Sequence, residues 1–132
     1  MKTTIDTPLA PAAIGPYSQA AQDSGLLFVS GQLGIDPSTG AIVEGGSAIQ
    51  ARRSLENIVA ILEAAGLDTS SVLKTTVYLT DINDFAAVNE VYAEFFSAPY
   101  PARAAFAVAA LPKGASVEIE CVASVSSRPQ GQ

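Results

Sequence analysis

The chain has no histidine and a single cysteine. Without histidine, one chain type can build neither a Ser-His-Asp triad, nor a histidine general base, nor a metal site of imidazoles. Cys121 alone cannot close an intrachain disulfide or assemble a zinc site of thiolates. In its apolar strand it reads as a small buried hydrophobe. Charge is scarce as well: 15% of residues are charged, and seven basic residues face thirteen acidic ones for a net charge of −6. Nucleic-acid binding draws most of its affinity from Lys and Arg on phosphates, so an acidic chain with no basic run argues against a nucleic-acid partner. No stretch approaches the roughly 20 apolar residues of a membrane span. The opening MKTTIDTPLAPAAIGPYSQ lacks the continuous apolar core of a signal peptide, so a soluble cytoplasmic protein is expected.

What is present is a 132-residue chain with 48% apolar residues. That length fits a single domain, taken here as residues 1–132, with a polar tail at about 126–132 (SSRPQGQ) expected to fray. High apolar content beside so little charge predicts that another subunit covers part of the surface.

TPLAPAAIGP is rich in Pro and Ala and reads as extended or loop. YSQAA and LLFVSGQ flank Gln22-Asp23-Ser24-Gly25 and predict a β-hairpin. Gly31, inside the second of those strands, predicts a bulge or a close backbone approach. Asp36 to Gly40 is a turn. In SAIQARRSLENIVAILEAAG, Ala51, Leu55, Ile58, Leu62 and Ala65 form one apolar helical stripe, and Gly66 ends the helix. Arg52 and Glu56, four apart, are expected to pair. LKTTVYLT alternates as a strand. DINDFAAVNEVYAEFFSAP predicts a second helix capped by Asp84 or Asn83, with Phe85, Val88, Val91 or Tyr92, and Phe95 inward. Two last strands, joined at Leu111-Pro112-Lys113-Gly114, complete the order β-β-α-β-α-β-β. The fold class expected is α+β, one sheet with both helices on one face. Its other face would be apolar and uncovered, which a symmetric oligomer would bury.

The chemistry concentrates in PYPARAAFAVAALPKGASVEIEC. Arg103 shares its strand face with Ala105, Ala107 and Ala109, whose small side chains leave room beside the guanidinium. Glu118 and Glu120 share a face of the next strand. A hairpin centred between Leu111 and Pro112 would set Glu120 opposite Arg103. A turn centred on Lys113 would move that match three residues along. One reading is a cross-strand ion pair of Arg103 with either glutamate. The other is that Arg103 grips a small carboxylate bidentately while a nearby glutamate orients water or moves a proton. Lys74 and Lys113 read as solvated.

PARAAFAVAALPKGASVEIE resembles the signature of the reactive intermediate deaminase family, RidA, also called YjgF. Pro101, Ala102, Arg103, Leu111, Val117, Glu118 and Ile119 carry the likeness. APAAIGPYSQA, FVSGQ, LEAAG, KTTVYL and DFAAVNEVYAEFF extend it over about residues 8 to 125. The resemblance implies a chorismate-mutase-like fold, a homotrimer with a barrel-like core, and sites in clefts between subunits. It implies hydrolysis of 2-imino acids or their enamine tautomers, such as 2-aminoacrylate, to 2-keto acids and ammonia, with no cofactor and no metal. It assigns Arg103 to the substrate carboxylate and Glu120 to the attacking water. Tyr17, Ser30 and Gly31 are implied to line the cleft, and Asn89 to lie near it. Many members carry cysteine where this chain has Ala105. That position contacts ligand through its backbone, so alanine is expected to keep the chemistry. A non-catalytic module that senses or carries 2-keto acids is the alternative, and would need Arg103 but not Glu120. RNA cleavage, also attached to the family, fits poorly with the acidic charge and missing histidine.

Overall fold

The stripe in SAIQARRSLENIVAILEAAG is a helix in the computed structural model of the chain, which describes residues 1–125. The tail expected to fray lies outside the described residues. Helix α1 runs Ser47–Ala64 and buries Ala51, Leu55, Ile58 and Leu62. Leu55, Ile58 and Leu62 are each at most 1% exposed, and burial of such a side chain stabilises by about 1.5–3 kcal/mol. The helix stops because Gly66 takes φ +78. Its N–H donates to the Glu63 carbonyl and that of Leu67 to the Leu62 carbonyl, which satisfies the last helical acceptors.

Six strands and two α-helices lie among the described residues. β1 (Thr3–Ile5), β2 (Ala20–Asp23) and β3 (Leu26–Leu33) precede α1; β4 (Val72–Leu79), α2 (Phe85–Phe95), β5 (Ala102–Ala107) and β6 (Val117–Ser124) follow. The strands form one mixed sheet in the order β1-β2-β3-β6-β4-β5. The expected β2–β3 hairpin is present, with Asp23 opposite Leu26. β1 is an addition to the expected order. Its three mostly polar residues carry no alternation, and it exists because it pairs with the β2 edge.

Both helices cover one face. Leu27, Val29, Val77, Leu79, Val117, Ile119, Cys121 and Ala123 point into that core. Cys121 is buried there as expected, and burial pushes its thiol up to about 12. The other face is open in the single chain, with Phe28 53% and Phe106 46% exposed. It is mixed rather than simply apolar, because Glu118 and Glu120 alternate outward from Val117, Ile119 and Cys121.

Three local expectations are corrected. The last two strands are not a hairpin: β4 lies between β5 and β6, antiparallel to β6 and parallel to β5. The physical reason is burial. β6 buries every second residue and suits an interior slot, whereas β5 is half-exposed throughout and suits an edge. The β4-α2-β5 crossover makes β5 parallel. Second, Arg52 pairs with Glu94 on α2 through two bonds of 3.0 and 2.9 Å, because α2 packs alongside α1. Glu56 instead lies 3.4 Å from Arg53. Third, neither Asn83 nor Asp84 caps α2 with its side chain. Asp81 accepts from the Asn83 N–H and caps a short 3-10 turn, Ile82–Asp84, that leads into the helix.

Candidate active site

Arg103 stands at the start of the β5 edge, in register with Thr75 on β4, which is in register with Cys121 on β6. All three therefore face the helices. The guanidinium carbon lies 4.8 Å from the Tyr92 ring centre and 5.3 Å from that of Phe85, a cation stacked against two α2 aromatics. One guanidinium nitrogen donates to Asn89 Oδ1 at 2.6 Å. Among the described residues no carboxylate pairs with Arg103. Beneath it, the buried Thr75 and Tyr92 hydroxyls share a 2.7 Å hydrogen bond. Burial raises the Tyr92 phenol, partly offset by Thr75 and the Arg103 charge. Arg103, Asn89, Tyr92, Tyr100 and Pro101 border a cavity of about 440 Å³. Ala105 follows on the same strand face, packed against the core rather than bordering that cavity.

The glutamates lie on the opposite face. Glu118 is in register with Tyr78, and Glu120 with Thr76. Between Val29, opposite Cys121, and Gln32, opposite Ile119, β3 carries two residues against one on β6. This is the bulge expected at Gly31, and it sets Ser30 and Gly31 against Glu120. A Cβ on residue 31 would overlap Glu118 Oε2, so the absent side chain is what lets that carboxylate lie across the bulge. Ser30 Oγ donates to the Ser18 carbonyl at 2.6 Å, which commits its proton to the backbone. The buried Gln19 side chain accepts from the Thr7 N–H and donates to the Thr7 and Pro11 carbonyls, at 2.7, 3.0 and 2.9 Å. It thereby pins the irregular segment that carries Tyr17. Tyr17, Ser30, Gly31, Glu118 and Glu120 border a second cavity, of about 590 Å³.

Burial, and then the charge of Glu120, raise the Glu118 carboxyl above the usual carboxylate range. Burial and the Glu120 charge likewise raise the Tyr78 phenol. From sequence the role on water goes to Glu120, while Glu118 is a possible ion-pair partner of Arg103 and a residue of the family signature. The signal that could have singled it out is Gly31, whose missing side chain it occupies. No group of three or more Asp, Glu or Cys residues able to hold a metal comes together among the described residues.

Neither of the two hairpin registers open from sequence is realised, and the reading of a cross-strand ion pair between Arg103 and either glutamate is corrected. One strand separates β5 from β6, and the side chains leave opposite faces of the sheet. Within one chain the predicted residues fall into two groups: Arg103 with Asn89, and Glu120 with Tyr17, Ser30 and Gly31.

The chain is thus an α+β protein of two helices on one six-stranded sheet, with an arginine that has no carboxylate partner among the described residues and a separate pair of glutamates on the other face. The Endoribonuclease L-PSP family matches residues 7–125, and the chain belongs to that family, which includes RidA and YjgF proteins. It is 54% identical over 123 residues, 93% of this chain and 90% of the other, to the human 2-iminobutanoate/2-iminopropanoate deaminase. A RutC family protein of Pyrococcus horikoshii is 55% identical over 93% of this chain and 98% of its own length. Among solved structures, E. coli TdcF with bound serine superposes with a TM-score of 0.89 at 47% identity, covering 94% of this chain and 99% of that one. RidA from a Psychrobacter species gives 0.89 at 52% identity, covering 92% and 98%. No helix among the described residues is long and apolar enough to cross a membrane.

Proposed function

We infer that this chain is a hydrolase that converts 2-imino acids to 2-keto acids and ammonia, working at sites assembled between protomers of a homotrimer. The observation that carries the reading is the Arg103 guanidinium: stacked, oriented by neutral Asn89, and left without a carboxylate partner among the described residues. A planar fork held this way suits a bidentate carboxylate. The identity with 2-iminobutanoate/2-iminopropanoate deaminases over most of the chain supports the imine as the reacting group. The opposite placement of the two cavities supports a site completed by a second copy, with Arg103 from one protomer and the glutamate face from its neighbour.

The chemistry needs placement more than a strong nucleophile, since an imine carbon is already electrophilic. Arg103 holds the substrate carboxylate. Glu118 takes a proton from water as the oxygen bonds to C2 of the protonated imine and the C=N π pair moves to nitrogen, which gives a neutral carbinolamine. The protonated Glu118 then gives that proton to nitrogen; as the C–N bond breaks Glu118 takes the hydroxyl proton, the carbonyl forms, and ammonia leaves and carries that proton away as ammonium. The raised pKa of Glu118 makes it a better base than an ordinary carboxylate. Glu120, the residue expected to orient the water, takes the supporting role: its charge raises Glu118. Tyr17, Ser30 and Gly31 line the water side, and Ala105 shapes the strand beside Arg103.

The test is ammonia release from 2-aminoacrylate or 2-iminobutanoate generated in situ by a pyridoxal-phosphate dehydratase. Faster release with the protein than without it is expected. Release no faster than the spontaneous rate would defeat the enzymatic reading and leave keto-acid binding as the function.

A further inference from the structure

The glutamate cavity is a poor host for an anion as its carboxylates stand. Glu118 and Glu120 share one wall, and the imino acid assigned above brings a carboxylate of its own. The whole chain adds a net charge of −6. Like charges in a cleft oppose entry of substrate. Among the residues bordering that cavity one is basic, Lys113. It belongs to none of the ion pairs of the described residues.

The backbone at Lys113 is unusual. The turn Pro112–Gly114 holds it at φ 58, ψ 21, in the left-handed region, and Gly114 follows at φ 68. The Ala115 N–H closes the turn on the Pro112 carbonyl at 3.1 Å. Glycine adopts that conformation without steric cost, and lysine does not. A turn chosen for stability alone would carry glycine there. Strain retained at the rim of a site is a pointer to function.

We propose that Lys113 is a binding and specificity residue, a cation at the cavity rim that draws the anionic substrate past the two glutamates toward the water side of the site. This rests on the deaminase reading for the identity of the substrate. Arg103 grips the carboxylate once it has arrived; Lys113 offsets the carboxylates on the way in and favours anionic imines over neutral ones.

The experiment compares wild type with Lys113→Gln, Lys113→Arg and Lys113→Gly. At about 10 mM salt, Lys113→Gln lowers kcat/KM roughly tenfold, mainly through KM, and the gap closes toward unity near about 0.5 M salt. Lys113→Arg keeps the salt dependence that Lys113→Gln loses. Lys113→Gly loses catalytic efficiency as Lys113→Gln does, yet melts at a higher temperature, because the left-handed strain is gone. Equal kcat/KM for wild type and Lys113→Gln at low salt overturns the proposal. So does a loss that salt leaves unchanged, which marks a structural role. Calorimetric binding of 2-oxobutanoate keeps the two readings apart. Wild type that binds the keto acid without deaminating imines defeats the enzymatic reading, while weaker low-salt binding by Lys113→Gln still supports Lys113 and unchanged binding overturns it.

Discussion

Arg103 sits on the helix-covered face at the β5 edge, held by Asn89 and two rings. Glu118 sits on the open face at the β3 bulge, with a second carboxylate beside it. The arginine is a charge the chain orients without neutralising. The glutamate is a charge the chain makes harder to form. Neither region is balanced within the protomer, and each holds what the other lacks. Under the proposed function, a second copy and the substrate supply the complement that each region lacks.

Removing the arginine is the sharpest way to break that comparison. Arg103→Ala forfeits two charge-assisted bonds of about 2 kcal/mol each, so kcat/KM falls roughly 10³-fold while the melting temperature hardly moves. A variant that stays active assigns the anion grip elsewhere. Mixing comes next. Arg103→Ala and Glu118→Gln protomers, each with at most about a hundredth of wild-type activity alone, are unfolded and refolded together. In a random mixture about a quarter of the interfaces pair two intact halves, and that share of activity returns. No recovery argues for a site within one chain.

The glutamates can then be told apart. Glu118→Gln lowers kcat roughly 10²-fold, the loss of a general base. Glu120→Gln costs less and shifts the acid limb of the pH–rate profile downward, since the charge that raises Glu118 is gone. The reverse order would return the base role to Glu120. Stability gives a smaller, independent reading. A carboxyl whose folded pKa lies above its unfolded value binds its proton more tightly when folded. Its stabilisation is full at acid pH and is lost as pH rises through the raised folded value. Glu118→Gln therefore melts at a higher temperature than wild type near pH 7, and the gap narrows toward pH 4. The smallest effect lies beneath the arginine. Tyr92→Phe leaves the buried Thr75 hydroxyl without its 2.7 Å partner and costs about 1–3 kcal/mol; adding Thr75→Val recovers most of it. Additive losses would show that the hydroxyl pair is not what holds Tyr92 under the guanidinium.

Much of this was legible from residues alone. The α1 stripe, the Gly66 stop, the β2–β3 turn and the Gly31 bulge each depend on neighbours a few positions away, and each is present. The resemblance carried by Pro101 to Ile119 pointed to the family that the comparisons show. Other features were out of reach. Arg52 has Glu56 four residues on, but its partner arrives from a helix forty-two residues away. Lys113 reads as a solvated turn residue until the cavity beside it exists. Glu118 and Glu120 alternate identically along β6, and only the bulge across the sheet distinguishes them.

Local chemistry determined the elements other than β1, the inward and outward residues of their strands, and the presence of an arginine and two glutamates near the end of the chain. Those follow from periodicity, turns and side-chain size, all of which act over a few residues. The tertiary structure decided that β4 lies between β5 and β6, and so set Arg103 and the two glutamates on opposite faces of the sheet. Strand order is chosen by where each face finds burial across the whole sheet. That is a sum over distant segments, and no short stretch of sequence carries it.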